Sequence, residues 1–366
     1  MPAAERVDVA ILGGGVVGAA LAYFLAQRGA KPLVIEGTAV AHGASGTAAG
    51  LLSPIAPAEL EAKLRPMIVR SLTLHAGLAE LLDGPRTYDY APYETCIVAT
   101  GPDGAAQLQA RADAAGGTWL TADLVAERCD WIDQPIVGGL FLRSAQLDPA
   151  KLTQRLLEVA KELGASVRMG RAAGLIGSED RVTGVELEDG VVSADATVIA
   201  MGPWVHRAAA WLDFPVPVRP LKGQILHLQL PGEPPPGGFS DLAGQYAVTR
   251  PSGLVFAGTT EEEEGFDVAP TEAARERILA GVGRYTARLA GAAVVAQTAC
   301  LRPLSGDGLP IVGAVPGRQG AYLATGHGRK GILLSLATGE ALAELIATGR
   351  ETSLDLTPFR PGRFTG

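Results

Sequence analysis

The sequence predicts a composite α/β fold, in which a parallel α/β unit is interleaved with an antiparallel sheet. Residues 7–36 have the pattern of a strand, a glycine-rich turn, a helix and a second strand. An amphipathic helix starts near Asp148 and leads into a further strand. The stretches "GQILHLQL", "QYAVTR" and "GLVFAGTT", all between residues 221 and 260, alternate as antiparallel strands do.

Composition and charge exclude several classes of protein. With 366 residues the chain is long enough for two domains, and its net charge of −8 argues against a nucleic-acid partner. Three cysteines, Cys96, Cys129 and Cys300, are too few for a disulfide framework and favour a reducing compartment. Glu5 and Asp8 precede the first apolar run, where a signal peptide would carry cations. We therefore predict a cytoplasmic protein without stable membrane insertion.

The first turn carries a dinucleotide-binding pattern. Gly13, Gly15 and Gly18 fall in the spacing G-x-G-x-x-G directly after an apolar strand. In a Rossmann unit the first glycine permits the turn, the second admits a pyrophosphate, and the third lets helix and strand pack closely. Glu36 ends the next strand, where a carboxylate binds ribose hydroxyls and repels a 2′-phosphate. This pattern disfavours NADP and leaves NAD and FAD open.

Two further segments favour FAD over NAD. "AHGASGTAAGLLSP", residues 41–54, combines small side chains with hydroxyl groups that can reach phosphate or ribityl oxygens. A glycine-rich turn at residues 326–330 precedes a long helix from Gly331 to about Ala347, whose N-terminus can stabilise negative charge on a reduced flavin. Segments from both ends of the chain must then meet at one long cofactor, which suits FAD.

Arg302 lies in the apolar run "CLRPL" and allows two interpretations. It is either a surface arginine on an edge strand or a buried fork of donors that binds a carboxylate. At ~4 Å and an effective dielectric constant of ~20, the attraction is about 4 kcal/mol before desolvation. We favour the carboxylate clamp.

Seven blocks spread over nearly the whole chain resemble the D-amino acid oxidase superfamily of flavoproteins, in the order of that family. They are "ILGGGVVGAALAYFLA", "GASGTAAGLL", "LDPAKLTQRLLEVAKELGA", "VIAMGPW", "LKGQIL", "CLRPLSGDGLPIVG" and "ATGHGRKGILLSLATGEALAELI". Within the superfamily the chain is most similar to glycine oxidases, with monomeric sarcosine oxidases as near relatives. The resemblance implies a Rossmann-like FAD-binding domain from residues 1–85, 145–220 and 299–366. It implies an antiparallel-sheet substrate domain from residues 86–144 and 221–298.

The same resemblance implies the reaction. It is the FAD-dependent oxidative deamination of glycine, sarcosine or a small D-amino acid, by hydride transfer to flavin N5. Molecular oxygen would then reoxidise the flavin and give hydrogen peroxide. A dehydrogenase that passes electrons to a quinone or partner protein is the alternative, and a subunit of a heteromeric complex is a third. No metal-ligand spacing occurs among the five histidines, and a homo-oligomer is possible.

The resemblance also implies site residues, by matching positions of this sequence. The catalytic ones are Arg302 and Tyr246 at the substrate carboxylate and Arg329 at the flavin–substrate junction. The cofactor-binding ones are Gly13, Gly15, Val16, Val17, Gly18, Glu36, Gly37, Ala44, Ser45, Thr47, Ala49, Gly50, Leu51, Ala173, Gly202, Trp204, His327, Gly328, Arg329, Lys330, Gly331, Ile332 and Leu333.

Three further positions concern flavin attachment, reaction with oxygen and the entrance of the site. Cys300 lies where sarcosine oxidase relatives attach flavin covalently, but we favour a buried free cysteine and non-covalent FAD. Phe256 lies near the place of the oxygen-activating lysine of those relatives, which leaves oxidase and dehydrogenase open. The acidic run from Glu261 to Glu264 is interpreted as a solvated face, with no function beyond a rim of the entrance.

Overall fold

A computed structural model describes residues 5–365. Residues 1–4 and 366, which the predicted FAD-binding segments include, lie outside the described part. The strands are Glu5–Leu12 (β1), Pro32–Glu36 (β2), Ala91–Ala99 (β3), Thr118–Thr121 (β4), Gly138–Gln146 (β5), Ser166–Met169 (β6), Ala172–Gly177 (β7), Val182–Leu187 (β8), Gly190–Ile199 (β9), Val218–Gln229 (β10), Gly238–Asp241 (β11), Tyr246–Thr249 (β12), Val255–Gly258 (β13), Ala293–Ser305 (β14), Ile311–Ala314 (β15) and Ala321–Thr325 (β16).

Helices connect and cover these strands. They are Val16–Gln27 (α1), Ala44–Thr47 (α2), Glu61–Leu81 (α3), Gly84–Thr87 (α4), Pro102–Ala115 (α5), Ala122–Arg128 (α6), Pro149–Glu162 (α7), His206–Leu212 (α8), Glu272–Gly283 (α9) and Gly331–Thr348 (α10). Single 3₁₀ turns occur at Gly202–Val205, Gly328–Lys330, Thr357–Phe359 and Pro361–Phe364.

The first sheet has the order β15-β16-β9-β1-β2-β6, and β7 and β8 extend it from β9. Its central strand β1 pairs in parallel with both β2 and β9. A parallel strand covered on both faces requires a continuous apolar sequence, and the second half of β1 is fully buried. The helices α1, α3, α7 and α10 form one large core cluster against this sheet.

The glycine turn after β1 is enforced by close backbone contacts. Gly13 has a φ of +117°, and a Cβ atom there would overlap the carbonyl oxygen of Ala200. A Cβ atom on Gly18 would overlap the carbonyl oxygen of Gly13. Both glycines are therefore required by the fold, independently of any ligand.

The second sheet has the order β14-β10-β13-β12-β11-β3-β5-β4. Its pairs are antiparallel except β3 with β11, which run in parallel. The predicted fold class is confirmed: an FAD-binding α/β unit is interleaved with a substrate domain built on this sheet. The domain boundaries stay a prediction, although β5, β10 and β14 each cross one of them.

The last helix, α10, is a core element. The helical stretch Gly328–Thr348 is long and apolar enough to cross a bilayer by length and composition, with a mean hydropathy of 1.4 over an 18-residue window. However, 67% of this helical window is buried inside the structure, where α10 packs against α1 and α3. Its apolar sequence is thus explained by the surrounding helices.

Two polar residues of α3 hold the first turn of α10. The Ser71 hydroxyl donates to the carbonyl oxygen of Leu333 at 2.5 Å and accepts from the amide of Ala337 at 3.2 Å. The ring Nε2 of His75 lies 3.0 Å from the same Leu333 oxygen. Burial lowers the pKa of His75 from 6.5 to about 4, so the ring is neutral at pH 7.

This neutral histidine makes stability depend on pH. Because the folded pKa is lowered, the stabilisation is complete above pH 6.5 and is lost as the pH falls towards 4. Between pH 7 and 5, we expect the wild type to lose of the order of 1–2 kcal/mol more free energy of unfolding than His75→Gln. Urea unfolding of the FAD-loaded protein at both pH values measures this difference. Equal losses would show that His75 already takes up a proton in the folded state.

Candidate active site

One cavity of about 1170 Å³ lies between the two sheets. Its walls come from the glycine turn after β1, residues 42–60, the start of α10 and the faces of β10, β12 and β14. This volume exceeds that of an ordinary small-molecule site, which leaves room for a long cofactor and a small substrate. The segments that the sequence placed at one cofactor do meet in this cavity.

The N-terminus of α1 faces the cavity through Gly15 and Val16. The amide of Val16 donates to the hydroxyl of Ser45 at 2.9 Å, and the helix dipole adds positive potential there. An anion at this point would meet backbone N–H groups and a hydroxyl donor together. Both are groups that bind the pyrophosphate of a dinucleotide.

Glu36 is held at the other side of the turn. Its carboxylate accepts from the amide of Gly14 at 2.7 Å and from the amide of Thr38 at 2.8 Å. Two backbone bonds fix the carboxylate but leave lone pairs available on both oxygens. It lines the cavity, where it could accept from ribose hydroxyls. The glycine cradle, the helix N-terminus and this carboxylate together fit FAD.

The structure brings most of the predicted cofactor-binding residues to this cavity. The predicted residues that line it are Gly13, Gly15, Val16, Val17, Glu36, Gly37, Ala44, Ser45, Thr47, Ala49, Gly50, Leu51, Gly202, Trp204, His327, Gly328, Arg329, Lys330, Gly331 and Ile332.

Three predicted cofactor-binding residues lie outside the cavity wall. Gly18 packs against Gly13. Ala173 is exposed at a register shift in the pairing of β7 with β8, and its neighbour Ala172 lines the cavity instead. Leu333 is turned towards α3, where Ser71 binds its carbonyl oxygen.

Arg302 lies inside the cavity, and the surface interpretation is wrong. It stands on β14, opposite Leu221 of β10, and its side chain is only 12% exposed. Nη1 donates to the carbonyl oxygen of Thr260 at 3.0 Å, and Nη2 donates to the hydroxyl of Thr259 at 2.8 Å. A Cβ atom on Gly223 would overlap the guanidinium, so that glycine leaves the space it occupies.

Tyr246 lies on β12, opposite Gly258, and also lines the cavity. A Cβ atom on Gly258 would lie 2.8 Å from the phenol oxygen, so this glycine too leaves space for a functional side chain. Burial raises the pKa of Tyr246, and the nearby Arg302 opposes this only partly. The phenol therefore stays protonated and can donate a hydrogen bond.

The acidic run is largely exposed, as the sequence predicts, and Glu261 lies at the cavity wall. Three of its four carboxylates are paired with arginines: Glu261 with Arg329, Glu262 with Arg277 at 3.4 Å, and Glu263 with Arg219. Glu261 lines the cavity, and one of its oxygens lies 3.9 Å from Nη1 of Arg302. Sequence reasoning missed these ion pairs because the arginine partners are distant in the chain, and a run of glutamates carries no local sign of them.

Several polar residues line the cavity near the start of α10. Nε2 of His327 lies 3.0 Å from the hydroxyl of Thr338, and burial lowers the His327 pKa to about 4. Nζ of Lys330 donates to the carbonyl oxygens of Ser53, at 3.1 Å, and Ile55. Lys330 thereby ties the turn before α10 to the segment at residues 53–55, which also lines the cavity. Burial lowers its pKa to about 8.

Two positions singled out in the sequence differ in their surroundings. Cys300 is buried in the cavity wall, and burial raises its pKa. Non-covalent FAD and a free Cys300 stay predictions. Phe256 lies outside the cavity wall, with its ring 4.1 Å from that of His227 and 4.8 Å from the guanidinium of Arg250.

Comparisons with known proteins agree with this geometry. The profile of the FAD dependent oxidoreductase (DAO) family matches residues 8–345. The glycine oxidase of Pseudomonas putida is 30% identical, over 97% of this chain and 98% of its own. The crystal structure of glycine oxidase from Geobacillus kaustophilus has a TM-score of 0.90 at 28% identity, covering 99% of this chain and 100% of that one. Iminodiacetate oxidase from Chelativorans sp. BNC1 has a TM-score of 0.85 at 25% identity, covering 96% and 98%.

These matches confirm FAD as the cofactor and identify the chain as an oxidoreductase of amino acids or amines. The resemblance to glycine oxidases drawn from the sequence is confirmed as well.

The position of Glu36 gives a test of the adenosine half of the site. Glu36→Gln is expected to weaken FAD binding to the apoprotein by about 10- to 100-fold, through lost hydrogen bonds to a charged group. Binding of FMN, which has no adenosine ribose, should change little. Quenching of flavin fluorescence measures both affinities.

Asp8→Asn is the matched control for Glu36→Gln. Its carboxylate also accepts a backbone amide, that of Lys31, at the far end of the same strand pair. An equal loss of FAD and FMN affinity in Glu36→Gln would show that Glu36 only stabilises the glycine turn and does not bind the adenosine ribose.

Proposed function

The chain belongs to the FAD dependent oxidoreductase (DAO) family, and we propose that it oxidises the amine of a small amino acid whose carboxylate binds Arg302. The substrate class is glycine, sarcosine or a small D-amino acid. The products are the imine, which hydrolyses to the oxo acid and an amine or ammonia, and hydrogen peroxide formed from oxygen. Two similar proteins are named glycine oxidase and iminodiacetate oxidase, and both named substrates carry a carboxylate one carbon from the amine nitrogen.

The observation that carries the proposal is the incomplete pairing of Arg302. Within residues 5–365 its guanidinium makes two hydrogen bonds, both to uncharged oxygens, out of five N–H groups. Its closest carboxylate is Glu261, at 3.9 Å. A charged group with so little exposure and free donors is suited to bind an incoming anion bidentately.

A second buried arginine on the same sheet provides a contrast. Nη1 of Arg250 donates to the side-chain oxygen of Gln146 at 2.6 Å and to the carbonyl oxygen of Ala49 at 3.1 Å. Its Nη2 donates to the carbonyl oxygen of Leu147 at 2.8 Å. Arg250 is absent from the cavity wall and joins segments of the chain. Arg302 has fewer protein partners and faces the cavity, as a ligand-binding arginine should.

Alignment of the substrate is the contribution of the protein to the reaction. FAD, when bound, supplies the two-electron acceptor for the hydride from the α-carbon. Arg302 fixes the carboxylate, and the neutral phenol of Tyr246 donates to the same group. Fixing one end of a molecule as small as glycine leaves its amine and α-carbon few orientations. The reaction is faster because the reacting atoms are already aligned. The mechanism requires no side-chain nucleophile.

Anaerobic addition of glycine, sarcosine, D-alanine and D-proline to the yellow protein tests the proposal. Bleaching of the flavin band by one of them establishes amine oxidation, and the order of rates gives the substrate. Admission of air then shows whether oxygen is the electron acceptor of the reduced flavin. Rapid recovery of the band with peroxide formation supports an oxidase, whereas slow recovery with rapid dye reduction would favour a dehydrogenase.

Arg302 is expected to dominate substrate binding. Arg302→Met should lower the second-order rate constant of flavin reduction by about 10²- to 10³-fold, as for loss of one partner of a buried charged pair. Tyr246→Phe removes one hydrogen bond to a charged group and should lower it by about tenfold. Stopped-flow absorbance measures both values.

Arg219→Met is the control for these variants. Arg219 lies on β10, pairs with Glu263 and does not line the cavity. Its rate constant should stay within twofold of the wild type, on the scale of an exposed ion pair. If the flavin of Arg302→Met were reduced as fast as that of Arg219→Met, the proposal that Arg302 binds the substrate carboxylate would be wrong.

A further inference from the structure

Glu261 places a carboxylate in the cavity between two arginines. It pairs with Nε of Arg329 and lies 3.9 Å from Arg302. Its side chain is 38% exposed and that of Arg329 is 44% exposed, against 12% for Arg302. Arg302 therefore lies deep in the cavity, and the pair of Glu261 and Arg329 lies towards its mouth.

Glu261 is ionised in this position. Partial burial opposes its ionisation, but the hydrogen bond and charge of Arg329, together with further positive charges, hold its pKa below the usual range. Arg302 and Arg219 act in the same direction. Arg219 itself pairs with Glu263 on the outer side, so it does not offer a second anion site to the cavity.

Together, Arg302, Arg329 and Glu261 carry one excess positive charge. Arg302 and Arg329 are both always protonated, and Glu261 cancels one of them. One substrate carboxylate at Arg302 makes the set neutral. A second carboxylate would have to separate Arg329 from Glu261 and leave two anions side by side, which is unfavourable at this partly buried position.

We propose that Glu261 is a specificity-determining residue that restricts the site to substrates with a single carboxylate, by occupying Arg329. The inference rests on the proposed function, because it takes Arg302 as the site of the first carboxylate. It assigns Glu261 no part in the oxidation itself. Removing its charge should convert Arg329 into a second anion site.

Two ligands that differ by one carboxylate test the proposal. Methoxyacetate carries one carboxylate and diglycolate carries two, and both have an ether oxygen in place of the amine, so neither is oxidised to an imine. Their dissociation constants are measured with the FAD-loaded enzyme from the change in flavin absorbance. The quantity compared is the ratio of the diglycolate constant to the methoxyacetate constant.

Glu261→Gln is expected to lower this ratio by about two- to fivefold, the scale of one partly exposed charge interaction. Glu263→Gln removes the same charge two residues along the chain, outside the cavity, and should leave the ratio unchanged. Glu261→Gln combined with Arg329→Gln returns the set to one excess positive charge and should restore the wild-type ratio. Glu261→Met, which fills a similar volume without charge, replaces Glu261→Gln if that variant does not fold.

The outcomes separate this inference from the proposed function. An unchanged ratio in Glu261→Gln, with methoxyacetate still bound, would overturn the role of Glu261 and leave the clamp at Arg302 in place. Equal weakening of both ligands would show that Glu261 only supports the residues around Arg302, and would also overturn it. If methoxyacetate did not bind to the wild type, the carboxylate site itself would be wrong.

Discussion

The rest of the site depends on one constraint, the placement of the permanently charged Arg302 guanidinium where the two sheets meet. Its strand β14 pairs along its length with β10, and a bridge between Leu304 and His327 connects it to the turn before α10. Gly223 provides the space, and Thr259 and Thr260 provide neutral acceptors. The same strand thus fixes Arg302 relative to the turn before α10. A substrate fixed at Arg302 is therefore also fixed relative to the cofactor.

The cofactor side obeys a different constraint, which is steric. Gly13 and Gly18 allow the turn after β1 to lie against Ala200 and against itself, which brings the N-terminus of α1 to the cavity. At the other end, Ser71 and His75 hold the first turn of α10 through its carbonyl oxygens. Backbone groups therefore form both ends of the cofactor cleft. Small side chains in the segments that line the cleft leave these backbone groups accessible.

The sequence was sufficient where the determinants are local. The glycine spacing of the turn after β1 predicts a close contact between strand and helix, and this contact is present. The helix predicted to start near Asp148 does start there, and the Asp148 side chain accepts from the amide of Lys151. Pairings between distant segments could not be predicted. The parallel pairing of β3 with β11, and the arginine partners of Glu261 to Glu263, depend on which strands become neighbours. The choice between Ala172 and Ala173 depends on a register shift in the pairing of β7 with β8, a pairing between segments that the sequence pattern does not show.

The central claim is that recognition of a carboxylate by Arg302 permits oxidation of the neighbouring amine. The most direct measurement compares anaerobic flavin reduction by sarcosine and D-proline with reduction by dimethylamine and pyrrolidine, the same amines without the carboxylate. The account predicts bleaching by at least one of the amino acids and none by the two amines at equal concentration. Reduction by the amines at the same rate as by the amino acids would contradict it, because binding at Arg302 would then contribute nothing to the reaction.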